Sequence, residues 1–199
     1  MKKQVLILFI LVVCAGTAFA GSMVRPINLE QMTTGARTIF YGKCVAAEAR
    51  MDENGLPATR YTFEIQRTLK GQAGSTFSIK QFGFAPTYRP ASDRSLSVAT
   101  VEGMPEYRLG ESYLIFLAAV SPMGYSSPQG LGQGAFRTFA DTSTKQVLAI
   151  NGQGNNNLFR GMESKSVGRF RESATGSTES HALPLQDLMS LVQQILSNR

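Results

Sequence analysis

Cys44 and His181 are the residues of this chain best suited to nucleophilic catalysis. A thiol enzyme needs a cysteine and a histidine within hydrogen-bonding reach, with a third group that orients the imidazole. His181 is the sole histidine and lies in a polar segment, whereas Cys44 lies in a β-rich stretch beside the apolar residues Phe40 and Ala46. The pattern favours a buried structural cysteine, and we expect no thiol-dependent activity.

Carboxylates and glycines give no stronger catalytic signature. Glycoside hydrolysis needs two carboxyl groups about 5 to 10 Å apart, and no spacing in the sequence pairs any two of Glu64, Glu102, Glu106 and Glu111. The glycine-rich segment 130–134 lacks the lysine of a phosphate-binding loop, and we interpret it as a flexible turn that enters a strand. One histidine and two cysteines also argue against a zinc centre. We therefore expect no enzyme, no cofactor and no metal.

Two stretches combine residue types that favour partner binding. The first is an irregular loop over residues 83–110, an excursion from the sheet that three prolines interrupt and that carries aromatic side chains within it and beside it. The second interleaves arginines with phenylalanines between residues 159 and 171. The alternatives are that the aromatic residues fold back over the core and that the basic loop is simply solvated. The candidate partner-binding residues are Phe82, Phe84, Tyr88, Tyr107, Arg160, Arg169, Phe170 and Arg171.

The N-terminal residues 1–20 have the pattern of a secretory signal peptide. Lys2 and Lys3 precede the apolar run VLILFILVV, and Ala-Phe-Ala at 18–20 supplies a cleavage site. Cleavage would remove the two lysines and lower the net charge from +6 to +4, leaving Cys44 as the sole cysteine. We expect export to the periplasm or the medium, with no transmembrane segment remaining. A mild basic charge permits an anionic partner, and export argues against nucleic acid.

The elements that position these residues are mainly β-strands. Alternating polar and apolar residues predict strands at 38–47, 60–69, 76–82 and 113–120, and a hairpin over 135–140 and 145–150. The last strand before the hairpin, 113–120, is apolar on both faces and should be the most buried. In the second strand we expect Tyr61, Phe63, Ile65 and Leu69 to share a face, and Gly42 predicts a bulge in the first strand.

Two helices and a flexible segment complete the predicted organisation. A short helix over 28–37 begins at the cap residue Asn28, and a C-terminal amphipathic helix occupies 184–199, with Pro184 in its first turn. Residues 21–150 form the predicted β-barrel domain, and the glycine-, asparagine- and serine-rich residues 151–183 form a flexible segment. The fold class is a small antiparallel OB-like barrel of five to six strands with the C-terminal helix packed on it.

Four stretches of this chain resemble a group of exported bacterial proteins of unknown function: TIFYGKCV at 38–45, YTFEIQRTLKG at 61–71, GESYLIFL at 110–117 and GQGAF at 132–136. The first two also resemble the opening strands of netrin-like domains, the class that includes the tissue inhibitors of metalloproteinases. That resemblance implies an OB-type barrel with a binding role. It transfers no inhibitory residue, because the N-terminal cysteine that those inhibitors use has no counterpart here.

The sequence therefore predicts an exported, non-enzymatic protein that binds a protein or an anionic cell-envelope component. An envelope hydrolase with an unrecognised site and a self-assembling structural protein of the envelope remain as alternatives. The sequence leaves the oligomeric state open.

Overall fold

A computed structural model describes residues 24–85, 101–162, 167–168 and 181–198. Its strands form one antiparallel sheet in the order β3-β2-β1-β4-β5-β6-β7. The strands are β1 (Thr38–Met51), β2 (Pro57–Lys70), β3 (Thr76–Phe82), β4 (Ser112–Leu117), β5 (Ala135–Ala140), β6 (Val147–Asn151) and β7 (Leu183–Pro184). The helices are α1 (Leu29–Gly35), a 3₁₀ helix (Leu131–Gly134) and α2 (Leu185–Ser197).

Helix α1 begins as its sequence predicts. The Asn28 side chain accepts a hydrogen bond from the Gln31 N–H at 2.8 Å, and the Gln31 side chain accepts one from the Asn28 N–H at 3.0 Å. This reciprocal arrangement is a capping box. The helix ends at Gly35 rather than Arg37, because the Arg37 N–H already donates to the Leu117 carbonyl of β4.

Strands β1 and β2 form a long hairpin whose pairing is irregular in three places. One register shift falls between Tyr41 and Gly42, as predicted, but the residue that the pairing skips there is Gln66 of β2 rather than a residue of β1. A Cβ atom at Gly42 would lie 2.7 Å from the Glu64 carbonyl oxygen, so the strands can approach this closely only at a glycine. The shifts also change which residues of β2 point to each face of the sheet. The prediction for Leu69 is therefore wrong, because this side chain packs on the face of the sheet opposite Tyr61.

The sheet separates two hydrophobic clusters. One lies between the sheet and the helices and includes Leu29, Phe116, Phe136 and Leu188. The other lies on the opposite face of the sheet, mostly against β1 to β4, and is rich in aromatic residues. Strand β4 contributes alternate side chains to both clusters and is buried from Tyr113 to Leu117, as its apolar sequence predicts.

In the described ranges the fold is mainly β with a short N-terminal helix and a C-terminal helix, as predicted, but the sheet is open and has seven strands there rather than five or six. At one edge, the two-residue strand β7 pairs with β6 only at Leu148 and Ala149, and its proline has no N–H to extend a ladder. At the other edge, β3 meets a loop: the Ser126 N–H donates to the Lys80 carbonyl at 2.7 Å. A single hydrogen bond to a loop does not close a barrel.

Residues 151–162 form consecutive turns that pack on the sheet. Leu158, Phe159 and Met162 are buried, and the Asn155 side chain bonds to main-chain atoms of Ala149, Asn151 and His181. The composition of 151–183 predicts a flexible segment, and its mobility stays a prediction. Helix α2 follows Pro184 and buries its apolar face on the sheet. No helix in the described ranges has the length and apolar character needed to cross a bilayer.

Candidate functional site

The three described aromatic candidates of the excursion, Phe82, Phe84 and Tyr107, are buried or half-buried. Phe84 is 5% exposed and Tyr107 is 4% exposed, so neither offers a free surface. Phe82 is half-buried, and its ring lies 5.7 Å from that of Tyr125. Arg160 is exposed, and its carbonyl accepts a hydrogen bond from the Asn28 side chain. The other four candidates, Tyr88, Arg169, Phe170 and Arg171, lie outside the described residues.

Tyr107 is the centre of an aromatic cluster on the face of the sheet opposite the helices. Its ring makes edge-on contacts with Tyr61, Phe63 and Tyr113 at centroid distances of 4.9 to 5.1 Å. The Tyr107 hydroxyl is buried and has no hydrogen-bond partner among the described residues. Burial raises the pKa of Tyr107 well above its usual value and that of Tyr61 to about 12. These phenols are therefore protonated at neutral pH and act as core residues.

Cys44 packs in the same cluster and is fully buried. Burial raises its pKa to about 11, so the nucleophilic thiolate is scarce at neutral pH. Leu183, two residues after His181, belongs to the cluster on the other face of the sheet. The sheet therefore separates the thiol from the segment that carries His181, and the structure does not bring the two together.

A polar cluster joins the tip of the β1–β2 hairpin to β3 and to the β4–β5 loop. Asp52 accepts hydrogen bonds from the Tyr125 hydroxyl at 2.7 Å and from Lys80 Nζ at 3.1 Å. It also accepts from the N–H groups of Asn54 and Leu56. Lys80 contacts the Glu53 carboxylate at 3.1 Å, and its Nζ atom lies 4.5 Å from the centre of the Tyr125 ring.

The electrostatics of this cluster indicate a structural role. Hydrogen bonds from Tyr125 and Leu56 hold the pKa of Asp52 far below its usual value, although partial desolvation opposes them. Desolvation and the Asp52 carboxylate raise the pKa of Tyr125 to about 12. Because both Asp52 oxygens and the Lys80 ammonium are already engaged, the cluster holds the hairpin tip, β3 and the β4–β5 loop together and leaves none of these groups free for chemistry. Sequence reasoning missed it because its members come from separate elements.

A cleft lies where three loop segments meet beside β5. Its volume is about 600 Å³, and its lining includes Gly103, Gly132 and Gly152, whose main chains we call its floor. The Gly132 N–H donates to the Gly103 carbonyl at 2.8 Å, and the Gly152 N–H donates to the Gly132 carbonyl at 2.8 Å. A Cβ atom at Gly132 would lie 3.1 Å from the Gly103 oxygen, and one at Gly152 would lie 3.1 Å from the Gly132 oxygen. We call this feature the glycine cleft.

The walls of the glycine cleft carry few ionisable groups. Glu106 lies on one wall, and the sheet contributes Tyr113, Arg137 and Ile150 to the other. The Tyr113 hydroxyl donates to Glu111 Oε2 at 2.8 Å and accepts from the Arg108 N–H at 2.9 Å, so it is fixed in place. The cleft thus combines apolar contact, exposed main chain and charges of both signs.

Gln133 and Asn151 hold the floor of the cleft in place. The buried Gln133 side chain accepts from the Ile27 N–H at 3.0 Å and donates to the Arg25 carbonyl at 3.1 Å. Its own carbonyl accepts from the Asn151 side chain at 3.0 Å. The sequence predicts only a flexible turn at 130–134. The contacts that make it rigid join residues up to 108 positions apart, and no local pattern reveals them.

Metal sites and known relatives give no further assignment. No group of three or more histidine, cysteine or acidic residues in the described segments is arranged to hold a metal ion. No protein-family model, curated protein or solved structure matches this chain. The resemblance to netrin-like domains therefore stays a prediction from short sequence motifs.

Proposed function

We propose that this chain is an exported, non-enzymatic binding protein that holds a protein or an anionic envelope component in the glycine cleft. The observation that carries the proposal is the cleft itself. Its volume of about 600 Å³ lies within the roughly 300–1,000 Å³ of typical ligand sites. Loop segments held by a sheet are also a common location for binding residues.

The floor of the cleft is built by close contact between main chains. A side chain at Gly132 or Gly152 would meet the main chain of a neighbouring glycine, so these glycines allow the loop segments to pack together. The hydrogen bonds between these glycines and the anchoring contacts of Gln133 make the floor rigid. A rigid site binds without an ordering cost, which favours affinity.

The chemistry of the lining supports binding rather than catalysis. The Tyr113 hydroxyl is engaged in two hydrogen bonds and is half of a pair with Glu111, which does not line the cleft. Burial raises the pKa of Tyr113, so the phenol stays protonated and cannot act as a base at neutral pH. The Cys44 thiol lies in the core cluster, away from the lining.

Export is proposed from residues 1–20, whose composition is that of a signal peptide. The buried state of Cys44 is compatible with an oxidising compartment, because a thiol without solvent access does not form adventitious disulfides. We further propose that β1 to β4 derive from an OB-type barrel. The aromatic cluster shared by β1 to β4 and the Ser126–Lys80 hydrogen bond support this part of the proposal.

Crosslinking in the living source cell, followed by mass spectrometry, tests the proposed function. Gln153 lines the cleft and is exposed, so Gln153→Trp should fill the cleft without disturbing the core. Gln186→Trp, at an exposed position of α2, is the matched control. We expect one dominant partner that is retained by the control and lost with Gln153→Trp.

Two results would contradict the proposal. A partner captured equally by both variants would place the binding surface elsewhere. A protein without a partner would lead to the alternatives: growth of particle size with concentration would indicate self-assembly, and turnover in a hydrolase screen would indicate an enzyme.

A further inference from the structure

On the face of β5 and β6 opposite the helices, Ala135 joins the aromatic cluster, but the side chains beyond it belong to neither hydrophobic cluster. Side chains alternate along a strand, so Phe136 and Ala149 point to the helix side, where they join the core. The register pairs Arg137 with Ile150 and Phe139 with Leu148, which places these four side chains together on the opposite side. Phe139, Leu148 and Ile150 are half-buried, and Arg137 is exposed. We call these four residues the open face.

The open face is continuous with the glycine cleft, because Arg137 and Ile150 line both. It also adjoins a free strand edge. Strand β4 pairs with β5 only from Tyr113 to Ile115, opposite Arg137 to Ala135. Among the described residues, Phe139 and Ala140 therefore have no strand beside them on the β4 side. An extended polypeptide can pair with such an edge through its main chain.

Arg137 supplies the charge of this surface. Its guanidinium lies 5.5 Å from the centre of the Phe139 ring. In the part of the chain that the structure describes, it forms no salt bridge with any carboxylate. An arginine that stacks on an aromatic ring keeps its hydrogen-bond donors free for a carboxylate, which it can hold in a bidentate pair.

We propose that the open face binds an extended acidic peptide segment of a partner protein, with a carboxylate on Arg137 and apolar side chains on Phe139, Leu148 and Ile150. This inference rests on the proposed function, since it names the chemistry of the partner that the glycine cleft receives. Charge complementarity selects an acidic segment, and the free edge of β5 beside the apolar face selects an extended peptide.

Peptide titration tests this inference directly. The probe is a fluorescently labelled peptide in which valine and glutamate alternate, and its control replaces each glutamate with lysine. Arg137→Glu reverses the charge on the open face, and Arg37→Glu makes the same change in net charge at an exposed position elsewhere. Loss of a charge-assisted bidentate pair should weaken binding by about tenfold or more.

We expect the acidic peptide to bind wild type and Arg37→Glu alike, to bind Arg137→Glu much more weakly, and to lose affinity as salt concentration rises. Equal binding of the basic peptide, equal loss in both variants, or no binding at millimolar peptide would overturn the inference. Tight binding of dodecanoate without peptide binding would also overturn it, since the face would then take an anionic amphiphile. In each of these cases, partner capture sensitive to Gln153→Trp would leave the proposed function standing.

Discussion

Gly152→Ala tests whether the floor of the glycine cleft is as closely packed as the structure shows. The added methyl would lie 3.1 Å from the Gly132 carbonyl oxygen and 3.2 Å from the Gly132 Cα atom. Both neighbours are main-chain atoms, so no flexible side chain can move aside. Overpacking of this kind costs about 1–3 kcal/mol, whereas replacing glycine with alanine gains about 0.4–1 kcal/mol through the unfolded chain. The net expectation is a loss of about 1–2 kcal/mol in the free energy of unfolding.

Gly74→Ala is the matched control, because its methyl would meet only the Thr76 carbonyl at 3.7 Å, an ordinary contact. The control should be neutral or slightly stabilising. A difference of about 2 kcal/mol between the variants corresponds to roughly 4–8 °C in Tm for a chain of this size. Thermal and urea unfolding measure it, and amide hydrogen exchange should show protection of the Gly152 N–H. Equal Tm values with an unprotected Gly152 amide would refute the packed floor.

Three further predictions concern stability and reactivity. Asn155→Ala removes the side-chain donor to the Ala149 carbonyl at 3.0 Å and to the His181 carbonyl at 2.7 Å, at a left-handed backbone position with φ 60°. The free energy of unfolding in urea should fall by about 2–4 kcal/mol. A loss below about 0.5 kcal/mol would contradict this account. Native Cys44 should resist a thiol reagent at pH 8 and react once urea unfolds the chain. Burial raises the pKa of Cys44 from 9.0 to about 11, so the contribution of the protonated thiol to the free energy of unfolding is complete below pH 9 and is lost as pH rises through 11. Rapid labelling of the native protein would count against this burial. The pKa of Asp52 is lowered from 3.8, so the contribution of this carboxylate to the free energy of unfolding is complete above pH 3.8 and is lost as pH falls below it. Asp52→Asn should therefore flatten the loss of stability between pH 5 and pH 2. An unchanged dependence of stability on pH would show that the hairpin cluster does not stabilise the fold.

The local sequence predicts most strands because alternation along a strand reflects which face is buried. Strand β4 shows this well, since it is apolar on both faces and lies between both clusters. The face to which Leu69 of β2 points could not be predicted, because it depends on bulges that form when β2 pairs with β1. Likewise, β7 has two residues and no pattern of its own, so its pairing with β6 and the open shape of the sheet follow from tertiary contacts.

The candidate site was less predictable than the fold. Aromatic residues in an irregular stretch indicated a binding surface, yet Phe84 and Tyr107 are buried, because burying an aromatic ring stabilises the core wherever the chain can reach it. The glycine cleft depends on close approach of Gly103, Gly132 and Gly152, which are far apart in the chain. A lone glycine in a loop has the same sequence signature whether it lies in a turn or beneath a binding site.

Site-specific photo-crosslinking in the source cell tests the central claim most directly. A benzophenone amino acid replaces Gln153 at the glycine cleft in one sample and Gln186 on α2 in another; both positions are exposed glutamines. The account predicts one protein adduct from position 153, absent from position 186 and lost when Arg137→Glu is added. Adducts of equal yield from both positions, or adducts from position 186 alone, would contradict it.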